Sequence, residues 1–139
     1  MSETKYIAGT CNIGASEINQ RRRIGLIGLG LTSVSIIIYL GLVYLIGLDI
    51  ILGVLVFLPA ELSAVGLLQA RNKFCAAYGL AKQQNVTLSL GLTTKIEDIS
   101  SQKKDRNKAF KILFQSTIIA IGITSLTVIV GLIVSQLVQ

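Results

Sequence analysis

Three side chains in this sequence hold most of its capacity for chemistry: Cys11, Cys75 and Glu61. Two thiols brought together make a redox or sulfur-carrying pair, or give two ligands to a metal completed by another subunit. The same two residues also serve as small, half-buried packing groups, a common fate of free cysteine. Glu61 stands alone in an apolar tract. A carboxyl there acts as a proton or cation relay, as a polar anchor for a partner, or as a protonated group hydrogen-bonded to hydroxyls such as Thr32, Ser33, Ser35, Thr117 or Thr124. A relay needs a chain of ionisable groups, and no second one lies at that depth, so the structural role, a carboxyl hydrogen-bonded to hydroxyls and locking the bundle, is the expectation.

Most other chemistry is excluded by composition. The chain has no histidine, which removes the commonest general base, the commonest metal ligand and most catalytic triads. It contains no GxxxxGK[ST] phosphate loop, no GxGxxG after a strand and no CxxC. Asn85-Val86-Thr87 matches a glycosylation sequon of the kind that arises by chance. The expectation is a protein that is not an enzyme and that calls for no cofactor or metal.

The elements that would position these groups are apolar helices. Hydrophobic residues make up 52% of the 139 and charged ones 14%, with a mean hydropathy of +0.70; a soluble domain carries about 25% charged residues. Three tracts reach the ~20 residues that a spanning helix needs. The predicted organisation is one membrane domain: an N-terminal segment 1–23, spans at 24–46, 50–70 and 112–134, and a basic loop 71–111. The fold class is thus an all-α integral membrane protein with three transmembrane helices. Gly47, Leu48 and Asp49 alone join the first two spans, which predicts a tight hairpin.

Charge then orients the chain. All 13 Lys and Arg residues fall before the first span or between the second and third. The positive-inside rule therefore places the N-terminus and the 71–111 loop in the cytoplasm and the C-terminus outside. That is the arrangement of a multi-pass protein of a cell inner (plasma) membrane. The net charge of +6 describes one membrane face and no nucleic-acid partner. Arg21, Arg22, Arg23, Arg71 and Lys73 would meet anionic lipid head groups, at about 1 kcal/mol per cation near the surface.

Local patterning fills in the rest. Residues 15–23 favour a helix, with Glu17 four residues before Arg21. RNKFCAAYGLAKQQ predicts about three further helical turns after the second span. VTLSLGL, residues 86–92, alternates like a short strand or a segment lying at the interface. Asp98, Ser100 and Ser101 offer N-caps for a helix that continues into the third span, and Pro59 predicts a kink in the second. Small residues at Ser116, Ala120, Thr124, Thr127 and Gly131 trace a helix-packing face; Ala60, Ala64 and Gly66 on the second span and Gly25, Gly28, Gly30 and Gly41 on the first do likewise. So many close-packing faces exceed what three helices are expected to bury among themselves, which predicts a homo-oligomer or an accessory subunit of a larger membrane complex.

Asn12, Gly14, Glu17 and Arg21, followed by a short helical hairpin and then Phe74, Cys75 and Tyr78, resemble the opening and closing stretches of a small two-helix inner-membrane domain that occurs alone or fused to rhodaneses in bacteria. The resemblance covers about residues 11–80. It implies a prokaryotic inner-membrane hairpin whose cytoplasmic cysteine handles sulfur or thiols. This chain departs from the pattern in lacking a proline after Cys75, in carrying Glu61, and in adding the basic loop and the third span. Two functions follow: a non-catalytic membrane protein that assembles laterally, and a membrane-anchored thiol or sulfur-handling protein working through Cys11 and Cys75.

Overall fold

A computed structural model describes residues 5–87 and 89–138. It contains three helices long and apolar enough to cross a membrane, Ala15–Ile46, Ile51–Asn72 and Ile99–Leu137. The first, α1 (Ala15–Ile46), has 32 residues and so rises about 48 Å. It stops at Gly47, whose φ of 64° is left-handed and whose N–H reaches the Leu42 and Val43 carbonyls. This is the glycine-terminated end that satisfies the last orphan carbonyls of a helix.

Asp49 then accepts a hydrogen bond from the Ile51 N–H at 3.1 Å and starts a 3₁₀ segment, Ile50–Val56, that runs directly into α2 (Phe57–Asn72). The kink expected at Pro59 is not placed at mid-helix. Pro59 lies in the first turn of α2, where its missing N–H would have had no intrahelical partner; the change of helix type before it takes up the irregularity.

α1 and α2 touch backbone to backbone. A Cβ on Gly66 would come within 2.7 Å of the Gly25 Cα, and one on Gly28 within 2.6 Å of the Ser63 nitrogen. Such contact is open only to residues with little or no side chain. The final helix, α4 (Ile99–Val138), has 40 residues, or about 60 Å. Asp98 caps it, accepting from the Ser101 N–H at 2.8 Å and the Ser100 N–H at 3.3 Å.

Between α2 and α4 the helical expectation fails at Lys73, whose φ is 51°. The chain turns there, and helix resumes only as the five-residue α3 (Ala76–Leu80). A two-stranded antiparallel ribbon follows, β1 (Gln83–Gln84) with β2 (Thr94–Lys95), Gln83 opposite Lys95. Of the two readings of residues 86–92, a short strand or a segment lying at the interface, the described residues form no strand and belong to the connection between β1 and β2. Its alternation serves no buried face, since Leu90 and Leu92 are exposed and Leu88 lies outside the described residues. The interior at this end gathers Phe74, Ala76, Ala109 and Ile112, with Leu68 and Leu113 packed against them.

Along the helices the pattern inverts. Leu26, Ile37, Leu45, Leu55, Ile118 and Leu126 are all more than half exposed, while the small residues lie inside. Apolar surface of this extent marks a face that meets a membrane or another protein.

Candidate functional site

The groups that could do chemistry converge at the basic end of the bundle, on the segment that leads into α1. Ile7 to Cys11 forms a turn, its Cys11 N–H bonded to the Ile7 carbonyl at 2.9 Å. Asn12 and Gly14 then run between two other segments: the Asn12 N–H donates to the Lys73 carbonyl at 3.2 Å, and the Asn85 and Asn12 backbones pair at 2.8 Å. The Gly14 N–H donates to the Asn85 carbonyl at 2.7 Å. Gly14 is the one residue that fits here, because a Cβ would collide with the Thr87 and Val86 carbonyls.

Side chains lock this layer. Asn12 Nδ2 donates to the Cys75 carbonyl at 3.0 Å and Asn12 Oδ1 accepts from the Cys75 N–H at 2.7 Å. One turn into α1, the Glu17 carboxylate is 1% exposed, yet it is surrounded by donors. Its Oε1 accepts from the Tyr78 hydroxyl at 3.0 Å, Asn85 Nδ2 at 3.1 Å and the Gly91 N–H at 3.0 Å. Its Oε2 faces the Arg21 guanidinium at 3.5 Å. Burying a carboxylate is costly unless it is paired and hydrogen-bonded, and here it is both. Burial and then the bond to Glu17 push the Tyr78 phenol above its ordinary pKa.

A second buried carboxylate ties the N-terminal turn to α4. Asp105, fully buried, accepts from the Tyr6 hydroxyl at 3.0 Å and from the Gly9 N–H. Asn85 and Asp105 were not singled out as site residues by their sequence surroundings. In Asn85 a signal was present but points to geometry: its Oδ1 accepts from the Thr87 N–H at 3.3 Å and the Thr87 hydroxyl at 2.7 Å, so the sequon-like triplet is a side-chain-stabilised turn with the amide already engaged. Asp105 sits among lysines in an amphiphilic stretch and carries no such mark.

The two cysteines lie in this same layer. Cys11 is 5% exposed and Cys75 fully buried, both as free thiols. Cys11 Sγ points to the Ile13 carbonyl at 3.6 Å. Reactive thiols occupy partly exposed, electropositive positions, which neither of these does. Among the described residues no group of three His, Cys, Asp or Glu side chains stands close enough to hold a metal ion.

Glu61 belongs to a different level, where α2 faces α4. The Ser116 hydroxyl lies 2.6 Å from Glu61 Oε1 and the Thr117 hydroxyl 3.5 Å from it. Of the other hydroxyls considered for this contact, Thr32 and Ser33 instead donate to carbonyls of their own helix. The small residues of α4 point the same way: Ser116, Ala120, Thr124, Thr127 and Gly131 are all buried. They are used within the chain, against α1 and α2, and the expectation that three helices leave such faces over is corrected for this one. Gly131 and Gly53 together accommodate the Tyr39 ring, which a Cβ on either would strike. Of the basic residues, Arg21 is partly buried beside Glu17, whereas Arg22, Arg23, Arg71 and Lys73 are exposed.

Comparison with protein-family models, curated proteins and solved structures finds no match to this chain. The resemblance to the two-helix domain therefore rests on its motif residues. Those residues do meet: Asn12 binds Cys75, Glu17 binds Tyr78, and Phe74 fills the core beneath them.

Proposed function

We propose that this chain is a non-catalytic integral membrane protein of a prokaryotic inner membrane, with its basic end in the cytoplasm and its C-terminus outside, acting as a laterally assembling or accessory subunit. The observation that carries the reading is the division of the α1 glycines. Gly25 and Gly28 are covered by α2, but a Cβ at Gly30 or Gly41 would meet nothing within 4 Å. Together with Ser33, also exposed, they leave small residues turned outward, where a further helix can approach closely. The burial of Cys11 and Cys75 speaks against the thiol-handling alternative, as does the use of the motif polar groups in holding the chain together.

The test is the mass of the intact particle after gentle detergent extraction. A multiple of the chain mass, or a stable larger particle, is expected, and Gly30→Leu with Gly41→Leu should reduce it to the single chain. A wild-type particle of one chain at every concentration would overturn the reading. Thiol labelling in native membranes adds an independent arm: both cysteines should stay unreactive and insensitive to reductant.

A further inference from the structure

Resting on that membrane reading, we propose that the cleft between α1 and α4 is a specific site for one anionic phospholipid of the cytoplasmic leaflet, its phosphate held by Arg71. α1 and α4 close on each other where Tyr39 packs against Gly131. Nearer the basic end they part, and α2 forms the floor. There a cavity of about 260 Å³ is walled by Leu29 of α1 and by Ile119 and Ile123 of α4, over Ala60 and Ala64 of α2. A second cavity, of about 500 Å³, continues it towards the basic end and is bounded by Asn72 and Gln115. Leu68, Arg71 and Ile119 line both, so the two form one path, apolar at depth and polar at its mouth.

The mouth is cationic and uncompensated. Among the described residues the one ion pair is Glu17 with Arg21, so Arg71, exposed in the last turn of α2, has no carboxylate. Beside it Asn72 Oδ1 accepts from Lys108 Nζ at 2.7 Å, and Asn72 Nδ2 is anchored on the Leu68 carbonyl at 2.8 Å. Asn72 thus fixes a second cation next to the same opening. A guanidinium presents paired N–H donors that match a phosphate, and an ammonium adds a point charge. Below them, small floor residues and branched walls suit an acyl chain. The closure at Tyr39 and Gly131 makes the cleft a blind slot, which admits a chain end more readily than the length of a second helix.

The experiment uses the full chain in detergent, titrated with phosphatidylglycerol or phosphatidylcholine and read by native mass spectrometry. One retained phosphatidylglycerol per chain is expected, favoured over phosphatidylcholine by about fivefold or more, the order of one to two interfacial cation contacts. Arg71→Gln should abolish that preference while Lys95→Gln, on the exposed β2 strand, leaves it intact. Ala64→Leu should lower retention of both lipids by filling the floor, and inorganic phosphate should not compete. Equal loss in Arg71→Gln and Lys95→Gln, a spread of lipid numbers with no preferred single adduct, or a second copy of the chain in place of lipid would each overturn the site. If Ala64→Leu does not fold, the comparison of Arg71→Gln with Lys95→Gln decides alone. Carbonate extraction separates the two levels: release of the chain from membranes sinks the membrane reading, while an integral chain without a selective adduct sinks only the lipid site.

Discussion

Asn12 grips both backbone polar groups of one residue 63 positions away, donating to the Cys75 carbonyl at 3.0 Å and accepting from the Cys75 N–H at 2.7 Å. The pairing closes the chain where it leaves α2, directly after the left-handed Lys73; the Cys75 carbonyl also accepts from the Gly79 N–H at 3.0 Å, while its N–H bonds to Asn12 Oδ1. Asn12→Ala would strand the Cys75 N–H in a buried layer, while the carbonyl keeps the Gly79 N–H. The expected cost is about 1 to 3 kcal/mol, one buried donor left unsatisfied, measured as unfolding of the detergent-solubilised chain. Cys75→Ala, which keeps the peptide and loses only the thiol, should cost less than Asn12→Ala. The reverse order would show that the sulfur, not the backbone, is what Asn12 serves.

Glu17 is held by three donors on one oxygen and by Arg21 on the other. Glu17→Ala leaves Tyr78 and Gly91 without an acceptor and removes the carboxylate that, among the described residues, pairs with Arg21, for an expected loss of about 2 to 4 kcal/mol. Glu17→Gln keeps an oxygen in place and should lose about half as much, since hydrogen bonds to a charged group are roughly twice as strong as neutral ones. Thermal unfolding of the two variants side by side measures the ratio. Equal losses would mean that charge contributes nothing.

Much of this was legible in the residues, and the rest was hidden for physical reasons. The three long apolar helices follow from tracts of sufficient length in which Glu61 is the one charge. Asn12, Gly14, Glu17, Phe74, Cys75 and Tyr78 could be picked out by type, but not their contacts: a hydrogen bond between residues 61 or 63 apart leaves no periodicity. The strand reading of residues 86–92 fails because strand alternation needs a face to bury, and Gly91, with φ 76°, turns the chain before one forms. Pro59 was visible, yet its effect depends on its place in the helix, and the switch from 3₁₀ to α-helix that puts it in a first turn is set by Asp49 and the hairpin before it. The small-residue track of α4 was seen as a face, while which partner covers it is a tertiary fact.

That distinction gives a direct test at the glycines. Gly66→Ala adds a methyl 2.7 Å from the Gly25 Cα, with rigid backbone as the obstacle, so α1 and α2 must separate. Overpacking of this kind costs about 1 to 3 kcal/mol. Gly30→Ala meets nothing within 4 Å and should be neutral or mildly stabilising in the isolated chain, since alanine favours the helix by about 1 kcal/mol. Comparing unfolding of the two variants in dilute detergent checks both. A loss at Gly30 equal to that at Gly66 would mean that the two faces are packed alike.

Asp98, which caps α4, and Tyr6, which docks on Asp105 of α4, give opposite pH limits. Asp98 is held below its ordinary pKa of 3.8 chiefly by the Ser101 hydroxyl, then by the Ser101 and Ser100 N–H groups. A depressed folded-state value means stability that is fully present above the unfolded pKa and is lost as pH falls through the folded one. Acid should therefore fray the start of α4, and Asp98→Ala should fray it at every pH while removing this part of the acid dependence. Tyr6 behaves in the opposite sense. Burial, reinforced by its bond to Asp105, pushes its phenol from 10.0 up to about 12. A raised value means stability present below the unfolded pKa and lost as pH climbs from 10.0 towards about 12. Phenolate absorbance should show a late-titrating component that Tyr6→Phe reduces, the remainder belonging in part to Tyr78, which burial and Glu17 also shift upward. Titration of every tyrosine at the ordinary value would mean that the N-terminal turn is not docked on Asp105, and the layer built on Asn12 and Gly14 would lose its outer support.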